Sequence, residues 1–213
     1  MKKFVLALVV ALFACGQANA SFISTVTGAD MAGMEVTVTF EDNSSETLVW
    51  QTFTQDPSVD YLEGFSGGVQ SNNWSLVQAG DSIGNFVGYP LGLWTLTNQS
   101  DQGILSVFIN AIAGNVVFDI LFGDDSANGS SDGRPFLAMD PMNASFGSNY
   151  QDETFGTMLL SNRGDVILAG GSRTLFLVDT DKIASDVSTP GNMGILLLAL
   201  GSLFAARRRT KLF

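Results

Sequence analysis

The residues best spaced for chemistry lie in Gly123-Asp124-Asp125-Ser126-Ala127-Asn128-Gly129-Ser130-Ser131-Asp132-Gly133, where oxygen-bearing side chains recur at alternate positions around a glycine. Hard divalent cations take such ligands, and Asp124, Ser126, Asn128 and Asp132 fall on positions 1, 3, 5 and 9 of an EF-type calcium loop, with Gly129 at position 6. Position 12 is Pro135 rather than a bidentate Glu, and a strand pattern rather than a helical one precedes the loop. Calcium bound by these four residues is one expectation; a hairpin loop of turn-forming residues is the other.

Other chemistries are narrowed by what the chain lacks. It has no histidine and a single cysteine, Cys15. Ser/His/Asp triads, Cys/His dyads and His-ligated metal sites are therefore excluded. Carboxylate pairs of the glycosidase kind need only two acids, for which Asp119, Glu153 and Asp165 are candidates, but acids at strand ends and turns are ordinarily just solvated. The expectation is a protein that is not an enzyme. Trp74 and Trp94 start strands that follow Gly-rich loops, where an exposed ring could stack on a sugar. Core packing is the alternative for these indoles, as for Trp50 and for Tyr61, Tyr89 and Tyr150.

The elements that must position such residues read as strands. Met34 to Phe40 alternates, with Met34, Val36, Val38 and Phe40 on one face and Glu35, Thr37 and Thr39 on the other. Similar runs occur at 47–53, 74–79, 93–98, 104–112, 116–122, 157–161, 166–168 and 174–179. Turn-forming clusters such as Glu41 to Ser45, Gly64 to Asn73 and Asn162 to Asp165 separate them. Short strands about ten residues apart predict an all-β fold, a single antiparallel β-sandwich or jelly-roll-like domain over 21–186.

Both ends of the chain differ from this body. Met1-Lys2-Lys3, the apolar stretch Phe4 to Ala14 and the small residues Ala18 and Ala20 have the order of a signal peptide, 1–20, cut after Ala20 by signal peptidase. Leu12-Phe13-Ala14-Cys15-Gly16 is a weaker competitor, a lipobox in which Cys15 would be acylated; Phe13 suits it poorly. If the cut follows Ala20, the mature chain has no cysteine and its stability rests on burial alone.

Charge divides the same way. All 21 acids lie between Asp30 and Asp186, a stretch holding only four bases, for a net charge of −17. Such a body repels nucleic acid and anionic headgroups, so no nucleic-acid partner is expected.

At the C-terminus, Met193 to Ala206 is uncharged, and 14 residues make a helix of about 21 Å. Extended back to Pro190, with Arg207 reaching toward the headgroups, it approaches the shortest bilayer span. Arg207, Arg208, Arg209 and Lys211 hold its end on the cytoplasmic side, so the body faces away from the cytoplasm.

The run Val187-Ser188-Thr189-Pro190-Gly191, the short apolar segment 193–206 and the basic tail 207–213 together resemble a PEP-CTERM sorting signal over 187–213. Ser188, Thr189 and Pro190 stand where that family has Pro-Glu-Pro, and only Pro190 matches the triplet. The resemblance implies an exosortase-like processing enzyme, an intermediate tethered in the inner membrane of a Gram-negative bacterium, and final placement at the cell surface or outside the cell. It also implies a role in the extracellular matrix or biofilm, in association with exopolysaccharide. A calcium-assisted carbohydrate-binding module is the alternative function.

Overall fold

Alternation along the chain becomes strands that bury one side and wet the other. The computed structural model describes residues 22–23, 26–53, 66–80, 92–120, 133–150 and 154–183, which lie within one compact unit, Ser21–Ala184. Every strand pairing among them is antiparallel, and no α-helix occurs among the described residues.

The first sheet contains β1 (Phe22–Ile23), β2 (Glu35–Phe40), β3 (Ser45–Val49), β8 (Ile104–Asn110), β9 (Val116–Asp119), β11 (Asn143–Asn149), β12 (Thr154–Ser161) and β14 (Asp179–Ile183). The second runs in the order β10 (Leu137–Ala138), β13 (Arg173–Leu177), β7 (Trp94–Asn98), β6 (Trp74–Ala79), β5 (Ser66–Gln70), β4 (Gln51–Phe53). The two sheets share one apolar core, as a β-sandwich requires.

Strand β12 organises the first sheet. One of its edges carries β11, and the other carries β8 and then β9 in succession. Residues 111–116 therefore form a jog in one long strand: Ala111 N–H donates to Gly156, Val116 N–H returns to the Ala111 carbonyl, and the 3-10 turn Ile112–Gly114 stands between. Beyond the jog the sheet forks, β8 leading to β2 and β3, and β9 leading to β14 and β1.

Two runs expected as single strands are each divided between the sheets. The run 47–53 breaks at Trp50 into β3 and β4, and the run 174–179 breaks at Val178 into β13 and β14; both corner residues are buried. A large apolar side chain pointing inward at the bend anchors each crossing in the core. The run 104–112 ends at Asn110, and 166–168 provides only a bridge between Leu168 and Ile104.

Strand β5 lies inside Gly64 to Asn73, expected as a turn. Its glycines are explained by proximity. The Gly67 and Gly28 backbones approach so closely that a Cβ on either would overlap the other, and Trp50 Nε1 donates to the Gly28 carbonyl at 2.8 Å beside them. A glycine within a strand often marks such an approach.

Aromatic rings fill the space between the sheets. Trp94 lies 5.1 Å from Trp50, 5.6 Å from Phe176 and 6.5 Å from Phe118, centroid to centroid. Phe118 continues to Phe146 at 5.8 Å, and Phe146 to Phe155 at 5.7 Å. Each fully buried large apolar side chain contributes about 1.5–3 kcal/mol. No disulfide assists among the described residues, which contain no cysteine.

Candidate polar cleft at one end of the sheets

Three turns meet where β2 passes to β3, β5 to β6 and β7 to β8. Between them opens a cleft of about 390 Å³ lined by Phe40, Ser44, Asn73, Gln99, Ser100, Asp101 and Gln102. Its lining is amide, hydroxyl and carboxylate, over a nearly buried phenyl ring.

Each wall is held by its own side chains. In the β2–β3 turn, Asn43 takes the left-handed conformation at φ 65°, and Asp42 accepts the Ser44 N–H at 2.8 Å. This Asx turn is what Asp and Asn supply at such positions. In the β5–β6 turn, the Ser71 hydroxyl accepts from the N–H groups of Asn73 and Trp74 at 3.1 and 3.2 Å. In the β7–β8 turn, buried Asn98 is the hub: its Nδ2 donates to the Gln102 carbonyl at 2.7 Å, and its Oδ1 accepts from the Ser100 hydroxyl at 2.8 Å.

Further bonds cross from wall to wall. Gly103 N–H donates to Glu41 Oε2 at 2.7 Å, Gln102 Nε2 to Asp42 Oδ2 at 3.2 Å, and Gln99 N–H to the Asn73 carbonyl at 2.7 Å. Hydrogen bonds from the Ser44 side chain and backbone, and then from Gln102, hold the exposed Asp42 carboxyl below its ordinary value. Both hydroxyls of the lining, Ser44 and Ser100, are thereby taken up within the walls, while the Asn73 and Gln99 side-chain amides make no such bond among the described residues.

Neither tryptophan expected as a stacking platform offers a face. Trp74 and Trp94 are both fully buried, because their strands turn these positions toward the core. Trp74 stands behind the cleft and donates its indole N–H to Glu46 Oε2 at 2.8 Å, and Trp94 belongs to the aromatic core. The structure does not bring the two rings together at a surface.

The two candidate acids that are described lie in different settings. Asp119 is fully buried on β9, directly opposite Asp179 on β14, whereas Asp165 is exposed in a turn closed by the Asn162–Asp165 bridge. Glu153 lies outside the described residues, as do Tyr61 and Tyr89. Among the described residues no group of three or more His, Cys, Asp or Glu side chains could hold a metal ion.

The calcium candidates Asp124, Ser126, Asn128 and Asp132 lie outside the described residues. So do Cys15, the cleavage residues Ala18 and Ala20, the motif Ser188-Thr189-Pro190, the segment 193–206 and Arg207, Arg208 and Arg209. No helix of the described residues is long and apolar enough to cross a membrane.

Sequence reasoning recognised two of the cleft's turns as turns without connecting them. The third, Gln99-Ser100-Asp101-Gln102-Gly103, carried an available signal in its run of amide and hydroxyl residues between two apolar strands. That these turns share one end follows only from the strand order. Compared with family models, curated proteins and solved structures, the chain finds no match in any of the three.

Proposed function

We propose that this chain is a non-catalytic, exported protein of the cell surface or extracellular matrix, sorted through an exosortase-type C-terminal signal and associated with exopolysaccharide. The observation that carries this reading is the charge asymmetry. A body of net charge −17 lies between a basic, apolar leader and an apolar run that ends in Arg207-Arg208-Arg209. Positive charge retained on the cytoplasmic side puts the body on the opposite side. The test is fractionation with mass determination of both mature ends, in cells with and without the sorting enzyme. A mature chain beginning at Ser21 and shortened near Pro190 only when the enzyme is present is the expected result. Cytosolic protein retaining both Met1 and Phe213 overturns the reading.

The polar cleft favours a second reading, a carbohydrate-binding module in which Asn73, Gln99 and Gln102 bond sugar hydroxyls. Glycan arrays probed with the intact protein and with Gln102→Ala check it, in the presence and absence of chelator. Identical array profiles for the two proteins count against the cleft, and a profile unchanged by chelator counts against calcium assistance.

A further inference from the structure

The first sheet turns one of its two faces to solvent across β3, β2, β8, β12 and β11. Their inward residues settle the direction: Val36, Val38, Val107, Ile109, Met158 and Leu160 are all buried. The residues between them point outward in three rows, one residue from each strand, and none of these fifteen positions is buried. With strands about 4.8 Å apart and alternate residues about 6.8 Å apart, the surface measures about 19 by 14 Å.

The middle row reads Thr47, Thr37, Phe108, Leu159, Ser145. Its centre is a cross-strand apolar pair, with Phe108 42% and Leu159 37% exposed, flanked on both sides by hydroxyls. The row from Ser45 to Asn143 consists of four hydroxyls and an amide, and the row from Val49 to Gly147 carries the only charge of the face, Glu35. The fifteen positions thus hold one carboxylate and no base.

Internal hydrogen bonds hold the side chains in place. The Thr37 and Thr47 hydroxyls lie 2.8 Å apart, those of Thr39 and Ser45 lie 3.2 Å apart, and Asn110 Nδ2 donates to Glu35 Oε2 at 3.0 Å. Side chains already ordered lose less entropy when a partner arrives.

We infer that this sheet face, with its single carboxylate, is a docking surface for an uncharged polysaccharide chain, with Phe108 and Leu159 against the apolar face of a sugar ring and the surrounding hydroxyls and amides bonded to its hydroxyl groups. The proposal rests on the matrix-associated reading and names the partner's chemistry. Charge selects this occupant. An anionic chain is repelled by the acidic body, and a cationic one meets on this face a single carboxylate, Glu35, already bonded to Asn110. A second copy of the same face would bury rows of hydroxyls around only a small apolar centre, leaving polar groups to be desolvated without matched partners.

Native-gel affinity electrophoresis of the whole exported protein tests the inference, with hydroxyethyl cellulose and soluble starch as neutral probes and alginate as the anionic one. The variants are Phe108→Ala and Ser106→Asp on the face, Gln102→Ala in the cleft and, as the control, Met139→Ala, which removes an exposed apolar side chain beside β10, each checked for an unchanged thermal midpoint. Retardation by at least one neutral glucan, weakened about tenfold in both face variants and unaltered in Met139→Ala, is the expected result. Retardation by alginate alone, or by neither class, overturns it, as does retardation lost in Gln102→Ala but kept in the face variants. A dimer in sedimentation that Ser106→Asp dissolves, without glucan binding, assigns the face to a second copy instead. If Phe108→Ala still co-fractionates fully with extracellular matrix, the docking surface is wrong while the matrix reading stands.

Discussion

Trp74 on β6 donates its indole N–H to Glu46 Oε2 on β3 at 2.8 Å, a bond that runs from one sheet to the other behind the cleft. The same carboxylate oxygen accepts from the Ser71 hydroxyl at 3.2 Å. Glu46→Ala leaves the indole N–H buried without its acceptor, which costs about 1–3 kcal/mol. Thermal unfolding should then shift down by about 2–4 °C per kcal/mol in a domain of this size. Glu46→Gln retains an acceptor oxygen and should lose less; equal losses for the two variants contradict the role assigned to this bond.

Gln78 should respond in the opposite sense. Its side chain is fully buried on the core face of β6, and among the described residues neither amide atom has a hydrogen-bond partner. Gln78→Met keeps the volume nearly constant and removes the unsatisfied amide, so it should raise stability by about 1–3 kcal/mol. A denaturant midpoint lower than that of the parent protein shows that this amide is satisfied in solution.

Gly67→Ala should be among the most damaging single substitutions in the body. The added methyl meets the Gly28 carbonyl and the Trp50 indole nitrogen, and the first of these is backbone that cannot swing aside. A loss of more than about 4 kcal/mol is expected, seen as little recoverable folded protein. Gly164→Ala serves as the contrast, because open space surrounds that position, although its φ of 94° adds backbone strain. Soluble Gly67→Ala with an unfolding midpoint near that of the parent contradicts the packing described for β5.

Acid should loosen the cleft slightly. The Asp42 carboxyl lies below its ordinary value of 3.8, because Ser44 and then Gln102 donate to its charged form. A group depressed in the folded state stabilises above its unfolded value and loses that contribution as pH falls through the folded one. Stability of Asp42→Asn relative to the parent should therefore be constant above about pH 5 and rise below about pH 4. A difference that does not change between pH 6 and pH 2.5 removes the Asp42 bonds from the account.

Alternation made β2 legible, because Val36, Val38 and Phe40 form one flank and Glu35, Thr37 and Thr39 the other. The all-β class followed from many such segments. Strand β5 was hidden because its glycines serve a close backbone approach, which no periodicity records. Strand β11, Asn143–Asn149, was hidden because an exposed edge strand needs little apolar content. The crossings at Trp50 and Val178 lie within uninterrupted β-like sequence, so the change of sheet left no local mark. The cleft was illegible for a related reason: its turns are 30 or so residues apart in sequence and become neighbours only through the sheet order. Trp74 and Trp94 were read from their place beside loops, but the phase of the strand decides which way a ring points.

The opening strand, Phe22–Ile23, pairs with the closing one, with Phe22 opposite Ile183. A ribosome delivers the first of these long before the second, and partners so distant along a chain join slowly. Completion of the fold is therefore timed by the last segment to emerge. Until then the newborn polypeptide has an unclosed seam, and anything that must thread it or hold it unfolded has that interval in which to act.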